Sequence, residues 1–266
     1  MISQRRSHQH RLTILAFVLA APAWASIAFA QEKPAPRKLY VIVAGTRPEV
    51  TFEKRGDLYI EVDAPVKSIP PSQIDILGGE KEGQETITAT LPANLNDLVT
   101  FDAYKGGASL QLALKRSNLA DAAVPPIKVR CDLGKSLAPL IIIYPKNPTH
   151  GWDEPGIRVY DAAPASLPAN AILCANLTAA ELGTRFGTAS GPVPGGQSKV
   201  FTLPESPTGA LPFKVDVMIH QQPIPIANSS YMKNPSSPLV LLALPLFRAS
   251  PGNPPVSLQF LPLPQR

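Results

Sequence analysis

Ser136-Leu137-Ala138-Pro139-Leu140-Ile141-Ile142-Ile143-Tyr144 and, about a hundred residues later, Ser236-Ser237-Pro238-Leu239-Val240-Leu241-Leu242 read as one pattern written twice. Each opens on small polar residues and a proline, which cannot donate to a ladder and so sits at a strand entry. Each then runs continuously apolar, as a strand covered on both faces does. By contrast, Phe213-Lys214-Val215-Asp216-Val217 alternates, the mark of a strand with one wet face. Together they predict layered sheets in which some strands are interior and others peripheral.

Working outward, short β-rich runs punctuated by Pro and Gly fill the chain: 39–43, 58–62, 85–91, 109–114, 139–144, 157–160, 171–175, 199–203, 213–220, 238–244 and 256–261. No segment shows a sustained helical period with caps. The spacing predicts an all-β protein of two tandem immunoglobulin-like β-sandwich domains following a cleaved signal peptide. The expected boundaries are a signal peptide at 1–30, a first domain at 31–145, a Pro/Gly-rich linker at 146–156 and a second domain at 157–266.

The duplication rests on three anchors. Val62-Asp63-Ala64-Pro65-Val66-Lys67-Ser68-Ile69-Pro70 aligns with Tyr160-Asp161-Ala162-Ala163-Pro164-Ala165-Ser166-Leu167-Pro168, Gly107-Ala108 with Gly209-Ala210, and the opening pair closes the series. Asp63 and Asp161 read as strand-end residues that hydrogen-bond the backbone following them.

Residues 1–30 carry Arg5, Arg6 and Arg11 and no acid, then an apolar run from Leu12 to Ala23, then Ala28-Phe29-Ala30. This is the three-part grammar of a secretory signal, and the run is too short to span a bilayer. The chain is therefore expected to be exported, periplasmic or extracellular, with no transmembrane anchor after cleavage. Removing those three arginines lowers the formal charge from +5 to +2. Nucleic-acid binding, which needs a concentrated basic stripe, is not expected.

Cys131 and Cys174 leave two readings open in an oxidising compartment: one disulfide, or two separately buried thiols. Gly134-Lys135-Ser136 lacks the earlier glycine and following helix of a phosphate loop. No Gly-x-Ser-x-Gly elbow, Cys-x-x-Cys or paired-histidine zinc motif occurs, so no catalytic residue, metal site or cofactor is assigned. The one local concentration of versatile side chains is His150, Trp152, Asp153 and Glu154. A Trp beside carboxylates is able to stack on a sugar, and equally able to plug a joint between sandwiches.

The export signal, the Asp-Ala-to-Pro entries and the strand Ala171-Ile172-Leu173-Cys174-Ala175 together resemble uncharacterised exported bacterial proteins built of tandem β-sandwich repeats. That resemblance implies no active site. It favours a non-catalytic binding or structural protein of the cell envelope, acting on an envelope protein or a glycan through sandwich edges or the cleft between domains. Two alternatives accompany it. One is a periplasmic chaperone-like protein that binds client strands, with Ser109-Leu110-Gln111-Leu112-Ala113-Leu114 in the register for strand pairing. The other is a carbohydrate-binding or carbohydrate-active protein using the Trp152 region.

Overall fold

The doubly apolar runs occupy the middle of the molecule because each has two cores to fill. A computed structural model describes residues 35–264 except 49, 82–83, 117–123, 148–149, 204–208 and 247–255, and the segment read as a signal, 1–30, lies outside the described residues. Among the described residues the protein is β throughout, without an α-helix.

The strands are β1 (Arg37–Val43), β2 (Thr51–Arg55), β3 (Leu58–Val62), β4 (Gln73–Lys81), β5 (Gln84–Pro92), β6 (Leu98–Tyr104), β7 (Ser109–Lys115), β8 (Ile127–Asp132), β9 (Pro139–Asn147) and β10 (Gly151–Asp161). They continue as β11 (Ala171–Asn176), β12 (Leu182–Phe186), β13 (Ala189–Val193), β14 (Ser198–Thr202), β15 (Ala210–Ile219), β16 (Gln222–Met232), β17 (Leu239–Pro245) and β18 (Val256–Pro262).

Four four-stranded sheets result, with orders β5–β4–β7–β8, β10–β9–β1–β6, β14–β11–β17–β18 and β13–β12–β15–β16. The first two enclose one core, with Leu39, Val41, Ile74, Ile76, Leu112 and Ile141 among its residues. The last two enclose another, around Ile172, Leu182, Phe186, Val215 and Leu241. A third core joins the sandwiches back to back: Tyr40, Ile42, Leu140 and Ile142 from one inner sheet meet Leu173, Ala175, Val240 and Leu242 from the other. In β9, Ile141 and Ile143 thus serve one core while Leu140 and Ile142 serve another, and β17 divides its residues the same way. Alternation of side chains across a strand then demands apolar residues at every position. Pro34–Arg266 forms one compact unit.

Strand for strand, the sandwiches are copies. With the β2–β3 hairpin set aside, the first strand of each lies parallel to the seventh, β1 to β9 and β11 to β17, with Tyr40 opposite Leu140 in one and Ile172 opposite Leu239 in the other. The remaining ladders are antiparallel, and β4 to β10, without gaps, match β12 to β18 in sheet position. In each unit the second and third strands are hairpin partners within one sheet, whereas immunoglobulin domains divide theirs between sheets.

Three sequence expectations change in this setting. Residues 146–156 are not a linker: 146–147 complete β9 and 151–156 belong to β10, with Pro155 opposite Pro145 beside a register shift. Proline is tolerated there because β10 is an edge strand and the bulge removes the need for its missing donor. The stretch 157–161 accordingly closes the first sandwich, and the chain crosses to the second between Asp161 and Ala171. The anchor pairing 62–70 with 160–168 joins unlike places, since the first leads into β4 and the second into β11, the counterpart of β1. The Gly-Ala and Ser-Pro anchors do precede equivalent strands, β7 and β15, β9 and β17.

Candidate functional site

Trp152 decides what the 150–154 region does. It is 0% exposed, near the start of β10, packed in the first core. Gly45 makes room for it: a Cβ there would stand 2.9 Å from Trp152 Cζ2. Its indole N–H is buried without a partner. Its ring faces are covered by protein, so the side chain is a core plug and offers no platform for a sugar.

Its polar neighbours turn outward and pair with one another. His150 Nδ1 lies 2.9 Å from a Glu154 carboxylate oxygen, both half-exposed. Arg116 Nη1 donates to Asp153 Oδ1 at 2.7 Å and to the Val66 carbonyl at 3.1 Å, tying β7 and the segment after β3 to the β9–β10 hairpin. The four residues are adjacent in sequence, but Trp152 faces the core while His150, Asp153 and Glu154 lie at the surface.

The cysteines resolve plainly. Cys131 on β8 belongs to the first core and Cys174 on β11 to the second, and both are free. A disulfide between them is excluded by that separation, and burial pushes each thiol up to about 12. Two Asn-x-Ser/Thr glycosylation sequons occur, Asn176-Leu177-Thr178 and Asn228-Ser229-Ser230; Asn176 is buried, donating to the Ala180 and Val193 carbonyls and accepting from Thr178.

Among the described residues the space between the sandwiches is filled by the joining core. A groove of about 610 Å³ lies instead where the β8–β9 turn meets the end of β10, lined by Asp132, Lys135, Ser136, Tyr160 and Asp161 among others. Asp161 accepts from Ser136, Ser166 and the Ala163 N–H, the strand-end role read from sequence. Partial burial raises its pKa, but those three hydrogen bonds outweigh it and hold the carboxyl below the usual value. Its oxygens are spent on the turn.

The conspicuous surface feature is the β2–β3 hairpin. Among the described residues its strands pair only with each other, through the two-residue turn Gly56-Asp57, with Gly56 at φ 66°. Tyr59 is 71% exposed, Leu58 69%, Phe52 59% and Ile60 42%. With Val50 and Val66 they make up six of the ten exposed large apolar side chains among the described residues. The run at 58–62 was legible as a short β-rich run between turn residues, but its exposure was not, because strand propensity does not say whether a partner sheet lies beneath.

Client-strand pairing loses its designated strand. Ser109–Lys115 is β7, an interior strand bonded to β4 and β8, with Leu110, Leu112 and Leu114 buried. No protein-family model matches the sequence, and no curated relative matches it.

Proposed function

We propose that the protein is an exported, non-catalytic binding or structural component of the cell envelope whose contact surface is the β2–β3 hairpin. The observation that carries this reading is the concentration of exposed apolar side chains on an element that the second sandwich lacks. Scattered apolar residues need no explanation, whereas a contiguous apolar projection marks an interaction site. The partner class is an envelope protein or the protein itself; a glycan is less well served, because Trp152 is enclosed.

Two measurements test it. Fractionation of the source cell should place the protein, lacking residues 1–30, outside the cytoplasm. Substituting Phe52, Leu58 and Tyr59 together by Ser should abolish association with envelope components while leaving thermal unfolding unchanged. Cytoplasmic location, or association indifferent to those substitutions, rejects the reading.

A further inference from the structure

Arg37, the first residue of β1, is 9% exposed, and its Nε and Nη1 are enclosed with no hydrogen-bond partner. A guanidinium is charged at every ordinary pH, so enclosing one without a counter-charge is strongly unfavourable. Arg116, whose side chain is also enclosed, shows the usual remedy, since its charge is met by Asp153 at 2.7 Å. Among the described residues no carboxylate does this for Arg37. Asp102, two residues before the Tyr104 that opposes Arg37 in the ladder, lies instead 3.8 Å from Lys38. A buried polar group left this way calls for an explanation, and an ion held there is one.

The surrounding chain is shaped around this cation. The β1–β6 register shifts between Arg37 and Leu39, and such an irregularity re-aims the side chain beside it. Burial raises the pKa of the Tyr104 hydroxyl and the charge of Arg37 opposes that rise, so cation and phenol lie close together. Gly106 follows at a position where a Cβ would collide with the Tyr104 hydroxyl, so the loop from 105 to 108 closes tightly over the ring.

The second sandwich treats the equivalent place differently. Tyr40 and Leu173 correspond, each in the first strand of its copy, opposite Leu140 and Val240 and within the joining core. Three residues before them stand Arg37 and Asn170. Asn170 is neutral, and its amide donates to the Leu203 carbonyl at 2.9 Å. The fold therefore closes this end without a cation, and the arginine of the first copy is not explained by the architecture the copies share.

We propose that Arg37 is a binding residue for a carboxylate, which its guanidinium holds beside Tyr104 at this end of the first sandwich. A planar guanidinium meets a carboxylate through two parallel N–H donors. A monoanion suits the site better than a phosphate, because Tyr104 is neutral and Lys38 is engaged by Asp102, which leaves one positive charge to be balanced. The glycine pair 106–107 lets the loop over Tyr104 lift to admit the ligand. Two sources share this chemistry: a free carboxylate, and Glu32, the one acid in the chain before Glu49. The inference is independent of the hairpin reading, and neither needs the other.

Sodium formate is the probe, read against sodium chloride at equal ionic strength on protein expressed from the full-length sequence. At ~100 mM, tenfold above a Kd of ~10 mM, formate should raise the melting temperature of the wild type by ~3 °C or more. Arg37→Met should abolish that rise and, with no carboxylate bound, be at least as stable as the wild type, because it removes an uncompensated buried charge. Should the methionine variant not fold, the wild type still reports: formate should shift one slowly exchanging arginine Nε–H resonance, and chloride should not. If the wild type is unmoved while Glu32→Gln lowers the melting temperature and gains a formate response of its own, the site stands and its carboxylate is the chain's own. Wild-type and Glu32→Gln proteins both indifferent to formate, or an Arg37→Met protein that keeps the wild-type response, overturn the proposal.

Discussion

The first and second sandwiches share eight strands in the same sheet order, yet the first carries a hairpin between its first and second strands and the second carries none. The shared part is explained by burial: inner strands serve two cores and outer strands serve one. The added part has no such explanation, since its apolar residues face water. Set side by side, the copies separate what holds the fold from what is free to make contacts.

The largest way to test that separation is within the first core. Trp152→Ala should cost about 3–5 kcal/mol through lost burial and the cavity left behind. Trp152→Phe should cost far less, about 1 kcal/mol, because the indole N–H has no partner to lose. Chemical denaturation of both variants measures this. Since Ile142 and Leu242 share the joining core, the two sandwiches should melt in one transition, and a lowered first sandwich melting apart from an unchanged second would break the picture.

Next in size is alkaline pH, which compares the two cores through their thiols. Burial holds Cys131 and Cys174 at about 12, against 9.0 for the free side chain. The folded protein therefore keeps each proton longer than the unfolded chain. Their contribution is whole below the unfolded value and is lost as pH rises toward 12, on the order of 2–3 kcal/mol per thiol by pH 11. Wild-type stability should fall more steeply between pH 8 and 11 than that of the Cys131→Ala, Cys174→Ala protein. An alkylating reagent should reach neither thiol until the chain unfolds.

The smallest effect belongs to the hairpin. Phe52→Ser or Tyr59→Ser should shift single-chain stability by no more than about 0.5 kcal/mol, as surface changes do. A loss of several kcal/mol would mean that these side chains pack on the sandwich.

Much of the fold was legible. All eleven runs read as strands are strands, because β-branched residues between turn residues leave few alternatives. Of the strands missed, β13 (Ala-Ser-Gly-Pro-Val) and β16 with Pro223 and Pro225 are sheet edges, where proline and glycine blunt unpaired backbone instead of ending the strand, whereas β4 and β12 are interior. The same misreading made a linker of 146–156. Trp152 was legible as either plug or platform, and burial alone chose between them.

By itself, the sequence determined the all-β character and eleven of the eighteen described strands, the paired status of the runs at 139–144 and 238–244 as strands covered on both faces, and the absence of a recognisable catalytic motif. Those follow from local chemistry, in which each residue's preference is read within a few neighbours. Only the tertiary structure decided that the sandwiches stand back to back, that Cys131 and Cys174 lie in different cores, and that the apolar β2–β3 hairpin is left uncovered. Each of these depends on which distant strand supplies the opposing face, and an apolar side chain carries no label naming the partner that will bury it.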